Sequence, residues 1–330
     1  MVSVIVICYN QENSIARALD SVLRQDSSVP FEIVIGDDAS TDSTRAICQE
    51  YAVRHPDIIR LLPEEPNLGL VGNYFRCLKA CRGEYISDCA GDDEWLGTHR
   101  ISDAMKIFES YPGVNVVYSD YIIFDTRTGE SRQAYSSDDE ARRRAPVFKG
   151  ERLLRKALNR TDSLPYVLSS AVFRLKDLLE VMNEYPGMVC NGSFGCEDVP
   201  VIAALASKGD AAFNPAVTLK YNLVENSISN NSDRLKSARF YLKSLRMSRI
   251  LGKHYGISEK KMADTFRTKS LYVSSAAFDL NDKTLAQSVK KEISSWSLKP
   301  SLKCKAYLNL GYIKIIRNAI RAIKHSLNRH

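Results

Sequence analysis

Short apolar runs alternate with helical patterns through the first 124 residues, and this alternation limits the possible folds more than any other feature of the chain. Val2–Cys8 and residues 31–36, 58–62, 84–89 and 114–124 have the length and apolar content of buried strands. Helical patterns fill the gaps, over residues 13–24, 41–54, 67–79 and 100–111. In the first, Ile15, Ala18, Leu19, Val22 and Leu23 recur on one helical face. In the second, Ser40 or Thr41 is the expected N-cap. Strands alternating with helices in this way require a mostly parallel, Rossmann-like sheet flanked by helices, an α/β fold.

The pattern fades over residues 125–146. There Ser136-Ser137-Asp138-Asp139-Glu140 and Arg142-Arg143-Arg144 read as an exposed polar excursion, the arginines being a solvated face or a phosphate contact. Regular structure resumes at 153–158, 167–173 and 175–182, followed by a helix over 197–207 and an extended run over 211–223. Beyond Ser232 the chain reads as helix throughout, with little turn signal before Lys299-Pro300. The polar run Ser229-Asn230-Asn231-Ser232 marks the expected boundary between an α/β domain, 1–230, and an all-helical extension, 231–330. Charge changes sign at the same place. Residues 1–233 hold 34 acids against 24 lysines and arginines, whereas residues 234–330 hold 5 against 22.

Several classes are excluded. No stretch of about 18 uncharged apolar residues would span a bilayer, and the chain opens on a strand without the basic region and cleavage site of a signal peptide. The eight cysteines have no paired metal-type spacing, which fits reduced thiols and a cytoplasmic location. Neither a glycine-rich phosphate cradle ending in Lys-Ser/Thr nor Gly-x-Gly-x-x-Gly is present, which argues against an ATPase and a dinucleotide dehydrogenase.

Three polar stretches follow expected strand ends: Cys8-Tyr9-Asn10-Gln11-Glu12, Gly36-Asp37-Asp38-Ala39-Ser40-Thr41-Asp42, and Ala90-Gly91-Asp92-Asp93-Glu94-Trp95. A fourth, Cys196-Glu197-Asp198, precedes a helix. Singly each reads equally as a helix cap or an acidic surface turn. Together on one sheet rim, where α/β proteins bind ligands, they form a carboxylate-rich pocket. Transfer from a nucleotide diphosphate needs such a set. One carboxylate accepts from the base and ribose, a metal held by carboxylate neutralises the leaving diphosphate, and another takes a proton from the attacking hydroxyl.

These stretches, with Ser21-Val22-Leu23-Arg24-Gln25, Asn67-Leu68-Gly69, Gly83-Glu84-Tyr85-Ile86 and Tyr221-Asn222-Leu223, resemble family 2 glycosyltransferases in order and spacing over residues 1–230. The resemblance implies a GT-A fold, a nucleotide-sugar donor (a UDP-sugar), a divalent metal, Mg²⁺ or Mn²⁺, and inversion at the anomeric carbon. It implies that Asp38, with Asp37 beside it, binds the donor's base, and that Tyr9, Asn10 and Glu12 line the nucleotide pocket. It further implies that Gly91, Asp92 and Asp93 meet the donor, that Asp92 supported by Asp93 holds the metal, and that Trp95 lies near the sugar and acceptor. Asp198 is implied as the general base, with Glu197 beside it in the catalytic pair. Two positions depart from the family: Ala90 stands where its metal motif opens with an acid, and Val224 where a histidine is common. Both imply a leaner metal site that relies on donor phosphates.

At the C-terminus, Ile313, Ile316, Ile320, Ile323 and Leu327 line one helical face flanked by Lys314, Arg317, Arg321 and Lys324. Over residues 302–328 this reads as an interfacial helix on the inner face of an anionic membrane. The other reading is a helix packed on the body or pairing with a second copy as a homodimer. The expected acceptor is a glycan or lipid-linked sugar of surface-polysaccharide synthesis. A catalytically silent nucleotide-sugar-binding subunit is the competing reading. Nucleic acid is not an expected partner, because the tail lacks interleaved aromatics and a recognised motif.

Overall fold

The structure is a computed structural model and describes residues 1–135, 147–159, 167–224 and 232–310. The chain divides into two compact units, Met1–Ala157 with Asp162–Val224, and Leu158–Thr161 with Glu225–His330.

The first unit is built on one mixed sheet. β1 (Val2–Cys8), β2 (Phe31–Asp37), β3 (Ile59–Leu61) and β4 (Tyr85–Asp88) run parallel in the order β3-β2-β1-β4. Their connections are α1 (Ile15–Leu23), α2 (Thr44–Arg54) and α3 (Gly69–Ala80). β1 is almost wholly buried, which accounts for its unbroken Val-Ile run. α1 buries Ile15, Ala18, Leu19 and Val22, the face expected from spacing. α2 begins at Thr44, later than expected, because the carboxylate of Asp42 accepts from Thr44 N at 3.0 Å and Thr44 Oγ1 at 2.5 Å and closes a turn before the helix. The caps expected at Ser40 and Thr41 are therefore corrected. Both residues join the loop after β1 instead.

β5 (Glu94–Trp95), α4 (Arg100–Ser110) and β6 (Val114–Asp125) follow. β6 carries the short antiparallel β7 (Ser131–Gln133) and pairs in parallel with β10 (Asp210–Leu223). β8 (Val147–Phe148) and β5 pair with β10 in antiparallel fashion. The alternation does not reveal β9 (Ala171–Arg174), which lies antiparallel between β4 and β6 and joins the two parallel sets. α5 (Gly150–Asn159), α6 (Leu175–Glu184) and α7 (Asp198–Lys208) are the longer helices that follow, with a short helix at Pro186–Val189 between the last two. α7 is buried from Val199 to Ala206, so it packs as a core helix.

The second unit contains α8 (Arg234–His254), α9 (Ala263–Leu280), α10 (Lys283–Ser294) and α11 (Leu302–Leu310). Asp233 and Asp282 cap α8 and α10 by accepting from backbone N–H groups. Leu245, Leu251, Phe266, Val273, Phe278 and Trp296 fill its core. Buried Glu292 accepts from Arg246 Nε at 3.3 Å, Arg249 Nε at 2.9 Å and Trp296 Nε1 at 3.3 Å, so its charge is paired. Lys236, Arg239, Lys243 and Lys253 are exposed along α8. The arginine triplet at 142–144 and the amphipathic face from Ile313 onward lie outside the described residues. No described helix is long and apolar enough to cross a membrane.

Candidate functional site

The ends of β1 and β2 are sewn together by reciprocal bonds. Asn10 N donates to Ser40 Oγ at 2.9 Å, and Asn10 Oδ1 accepts from Thr41 N at 2.8 Å. Glu12 N donates to Asp42 at 3.2 Å, and Glu12 Oε2 accepts from Ser43 N at 2.9 Å. Asn10 (φ 51°) and Ala39 (φ 61°) both adopt left-handed backbone. Asn tolerates that region and Ala does not readily, so the β2 loop holds strain at this rim. Tyr9 is half exposed beside them. Asn10 and Glu12, expected in the nucleotide pocket, hold the loops after β1 and β2 together through these bonds.

Asp37 and Asp38 are both buried. Asp37 Oδ2 lies 3.6 Å from Arg45 Nη1 and accepts from Ser40 N at 3.4 Å. Asp38 Oδ1 accepts from Leu68 N at 2.7 Å, while its carbonyl accepts from Asn67 Nδ2 at 2.8 Å. Asp38 therefore fixes the turn into α3, and these bonds use one of its two carboxylate oxygens.

The third stretch closes on the first. A Cβ at Gly91 would sit 2.4 Å from Gln11 Oε1 and 3.0 Å from Cys8 Cβ, so only glycine lets the two loops approach this closely. Asn222 of β10 fastens the loop from the other side. Its Nδ2 donates to Asp92 O at 2.6 Å and its N–H to Asp93 Oδ1 at 3.0 Å. Asp92 remains half-exposed, and burial raises its carboxyl above the usual range despite help from Gln11 and Arg17. Asp93 is 1% exposed. Burial, then the neighbouring Asp92 charge, push it well up.

Trp95 corrects an expectation. It is 0% exposed. Its Nε1 donates to Asp88 O at 3.1 Å, its N–H to Ser21 Oγ at 2.9 Å, and the Arg100 guanidinium covers its ring at 4.3 Å. Pairing of β5 with Leu219 turns the indole into the core, so it has no face to offer a sugar.

Asp198 is the first residue of α7 and half-buried, with Glu197 buried just before it. Behind them lies Asp88 at the end of β4, 6% exposed, with Oδ2 3.4 Å from Tyr74 Oη and no hydrogen-bond partner for Oδ1. Burial, then the Asp198 charge, hold Asp88 well above the usual carboxylate range. The same two causes raise Glu197 and Tyr118. Burial lowers Arg100 to about 10, against the pull of Cys89, Asp88 and Asp93. Tyr74, Asp88, Arg100 and Tyr118 are neighbours that motif reading missed. Asp88 alone left a signal, as an acid inside an otherwise apolar strand on the same side as Ala90.

Among the described residues no group of three His, Cys, Asp or Glu side chains is arranged to hold a metal. A leaner site fits: the Asp92 carboxylate at the rim, and Asp93 Oδ2, which is buried and without a partner. The remaining ligands of an ion there would be phosphate oxygens and water.

Comparison with known proteins identifies the fold and the family. EpsE of Bacillus subtilis (strain 168), a putative glycosyltransferase, is 34% identical over 124 residues, 38% of this chain and 44% of that protein. The chain spans less than half the length of the curated relatives it matches. Among solved structures, S. aureus TarS 1-349 in complex with UDP-GlcNAc aligns with a TM-score of 0.60 at 16% identity, covering 97% of this chain and 91% of that one. The mannosyltransferase PcManGT from Pyrobaculum calidifontis, in complex with GDP-Man and Mn²⁺, aligns with a TM-score of 0.51 at 20% identity, covering 94% and 79%. At these identities the two structures share the fold with this chain. The pattern of glycosyl transferase family 2 matches residues 3–187, more than half the chain and every strand from β1 to β9, and the chain belongs to that family.

Proposed function

We propose that the chain transfers a sugar from a nucleotide-diphosphate donor, a UDP-sugar, to a glycan or lipid-linked acceptor with inversion. The observation that carries the reading is the half-buried Asp198 at the N-terminus of α7, backed by buried acids and left as the accessible carboxyl of its group. Asp37 and Asp38 at the β2 end suit the donor's base and ribose, and the loops held by Asn10, Glu12 and Gln11 frame them. Asp92, with Asp93 behind it, would hold a divalent metal, which when bound neutralises charge on the leaving diphosphate. The UDP-GlcNAc bound to TarS supports a uridine donor, and the Mn²⁺ in PcManGT supports the metal.

Asp198 takes the proton from the acceptor hydroxyl as that oxygen bonds to the anomeric carbon. The bond from that carbon to the phosphate oxygen breaks, and its electron pair leaves with the nucleoside diphosphate. Asp198 lies in the first turn of α7, and a helix N-terminus favours negative charge.

Asp198→Asn is expected to keep donor binding and reduce transfer by about 10²–10⁴-fold, read with a panel of nucleotide sugars and Mg²⁺ or Mn²⁺. Near-normal turnover in that variant would remove Asp198 from the role. A silent donor-binding subunit is a second reading, favoured by Ala90. It predicts calorimetric binding of a UDP-sugar without transfer or hydrolysis by the full chain.

A further inference from the structure

Arg17 stands in the first turn of α1 and leans on the loop after β4, with 43% of its side chain exposed. Its Nη2 donates to Asp92 O at 3.3 Å, and its Nε lies 3.7 Å from Glu94 Oε2. Neither partner depends on it. Asp92 O also accepts from Asn222 Nδ2 at 2.6 Å, the shorter of the two bonds. Glu94 Oε1 lies 3.8 Å from Arg24 Nη2 as well. The Arg17 guanidinium can therefore swing away without leaving the carbonyl or the carboxylate unmet, and a partly exposed pair at this distance holds it weakly. The other arginines near these acids are committed. Arg45 lies 3.6 Å from Asp37 and 3.5 Å from Glu64. Arg76 donates to Asp37 O at 3.0 Å, Asn73 Oδ1 at 2.9 Å and Pro63 O at 3.3 Å. Arg100 is 3% exposed and donates to Ser87 Oγ and to the Ser169 and Ala171 carbonyls.

We propose that Arg17 binds the donor's diphosphate, its guanidinium leaving Asp92 O and Glu94 to donate to phosphate oxygens when the nucleotide enters. This rests on the donor being a nucleotide diphosphate, as proposed above. The rim carries Asp37, Asp38, Asp92 and Asp93, and a diphosphate brings further negative charge to it. A divalent ion held there shares its charge with Asp92 and Asp93, so the diphosphate needs a further cation. Arg17 already touches Asp92, so a phosphate bound through an ion on that residue lies within the sweep of its side chain. A guanidinium suits the task, because its planar fork of N–H groups matches two phosphate oxygens at once. The same contact persists as the nucleoside diphosphate departs and steadies the charge on the leaving group.

The test is calorimetric and uses the full chain. UDP is titrated against uridine, with GDP and guanosine as a second pair, once in EDTA and once in Mg²⁺. Arg17→Gln is expected to weaken diphosphate binding by about 10- to 100-fold in EDTA as well as in Mg²⁺, with nucleoside binding unchanged. Arg17→Lys keeps the charge without the fork and is expected to recover part of the loss. A purely structural role, steadying the loop through Asp92, would act through the metal, so a loss confined to Mg²⁺ overturns the proposal. An equal loss for nucleoside and diphosphate overturns it too. Arg17 is exposed and both its partners keep a second contact, so the melting temperature of Arg17→Gln is expected to match wild type, and Arg17→Lys carries the comparison if it does not. If wild type and Arg17→Gln bind UDP alike, this inference fails while the proposed function stands. A wild type that binds neither diphosphate sinks both.

Discussion

A single methyl group separates Gly91 from a clash with Gln11 and Cys8, so the rim depends on one residue having no side chain. Gly91→Ala is expected to cost about 1–3 kcal/mol by overpacking, measured by denaturant unfolding, and to weaken donor binding as the β1 and β4 loops separate. Trp95→Ala tests the buried assignment. Loss of the indole is expected to cost about 3–5 kcal/mol, with donor affinity of the folded fraction retained. A large rise in donor Kd without a loss of stability would return Trp95 to the ligand. Asp88 gives a signed pH prediction. Its folded-state carboxyl titrates well above its unfolded value, so wild-type stability falls as pH rises from about 4 towards that higher value. Asp88→Asn removes this slope, and its melting temperature is expected to gain on wild type as pH rises from about 4 towards that higher value. Parallel curves would mean Asp88 is ionised in the native state.

At the scale of elements, the strands and helices up to β6, β5 excepted, were legible because each carries its own period. Residues at strand ends were legible too: Asp37, Asp38, Gly91 and Asp92 follow apolar runs, and an acid just past a buried strand stands on the rim. Side-chain direction was not legible. Nothing in the spacing of Asp92-Asp93-Glu94-Trp95 says that β5 pairs with β10 and turns Trp95 inward. Tyr74, Arg100 and Tyr118 also escaped, because each occupies an ordinary helix or strand position and meets the acids only through tertiary packing. Regular structure was expected at 167–173, but the antiparallel pairing of β9 escaped because four residues carry too little period to reveal direction. The same packing makes Asn222 a lock on the loop after β4, through bonds to Asp92 and Asp93. Asn222→Ala is expected to loosen that loop and weaken metal-dependent donor binding, with calorimetric titration in the presence and absence of Mg²⁺ as the check.

For the whole molecule, the charge division matters most. The acidic first unit carries the proposed chemistry, and the second presents Lys236, Arg239, Lys243 and Lys253 on α8. We propose that the basic region meets an anionic membrane surface and brings the enzyme to a lipid-linked acceptor. The full chain is expected to float with anionic vesicles at low salt and to be released by added salt. Replacing Lys314, Arg317, Arg321 and Lys324 by Glu is expected to abolish flotation. Flotation that survives both treatments would sink the idea.

The antiparallel strand β9 also sets an order of events during synthesis. β1 to β4 emerge first and form a local parallel set, but β4 then ends in an open row of N–H and C=O groups. Among the described residues none before Ala171 pairs with that edge, and β9 lies between β4 and β6 in the sheet. A nascent chain halted before residue 171 therefore displays an unpaired, apolar sheet edge. Such chains are expected to aggregate or recruit chaperones, and chains released past residue 174 are expected to escape that fate.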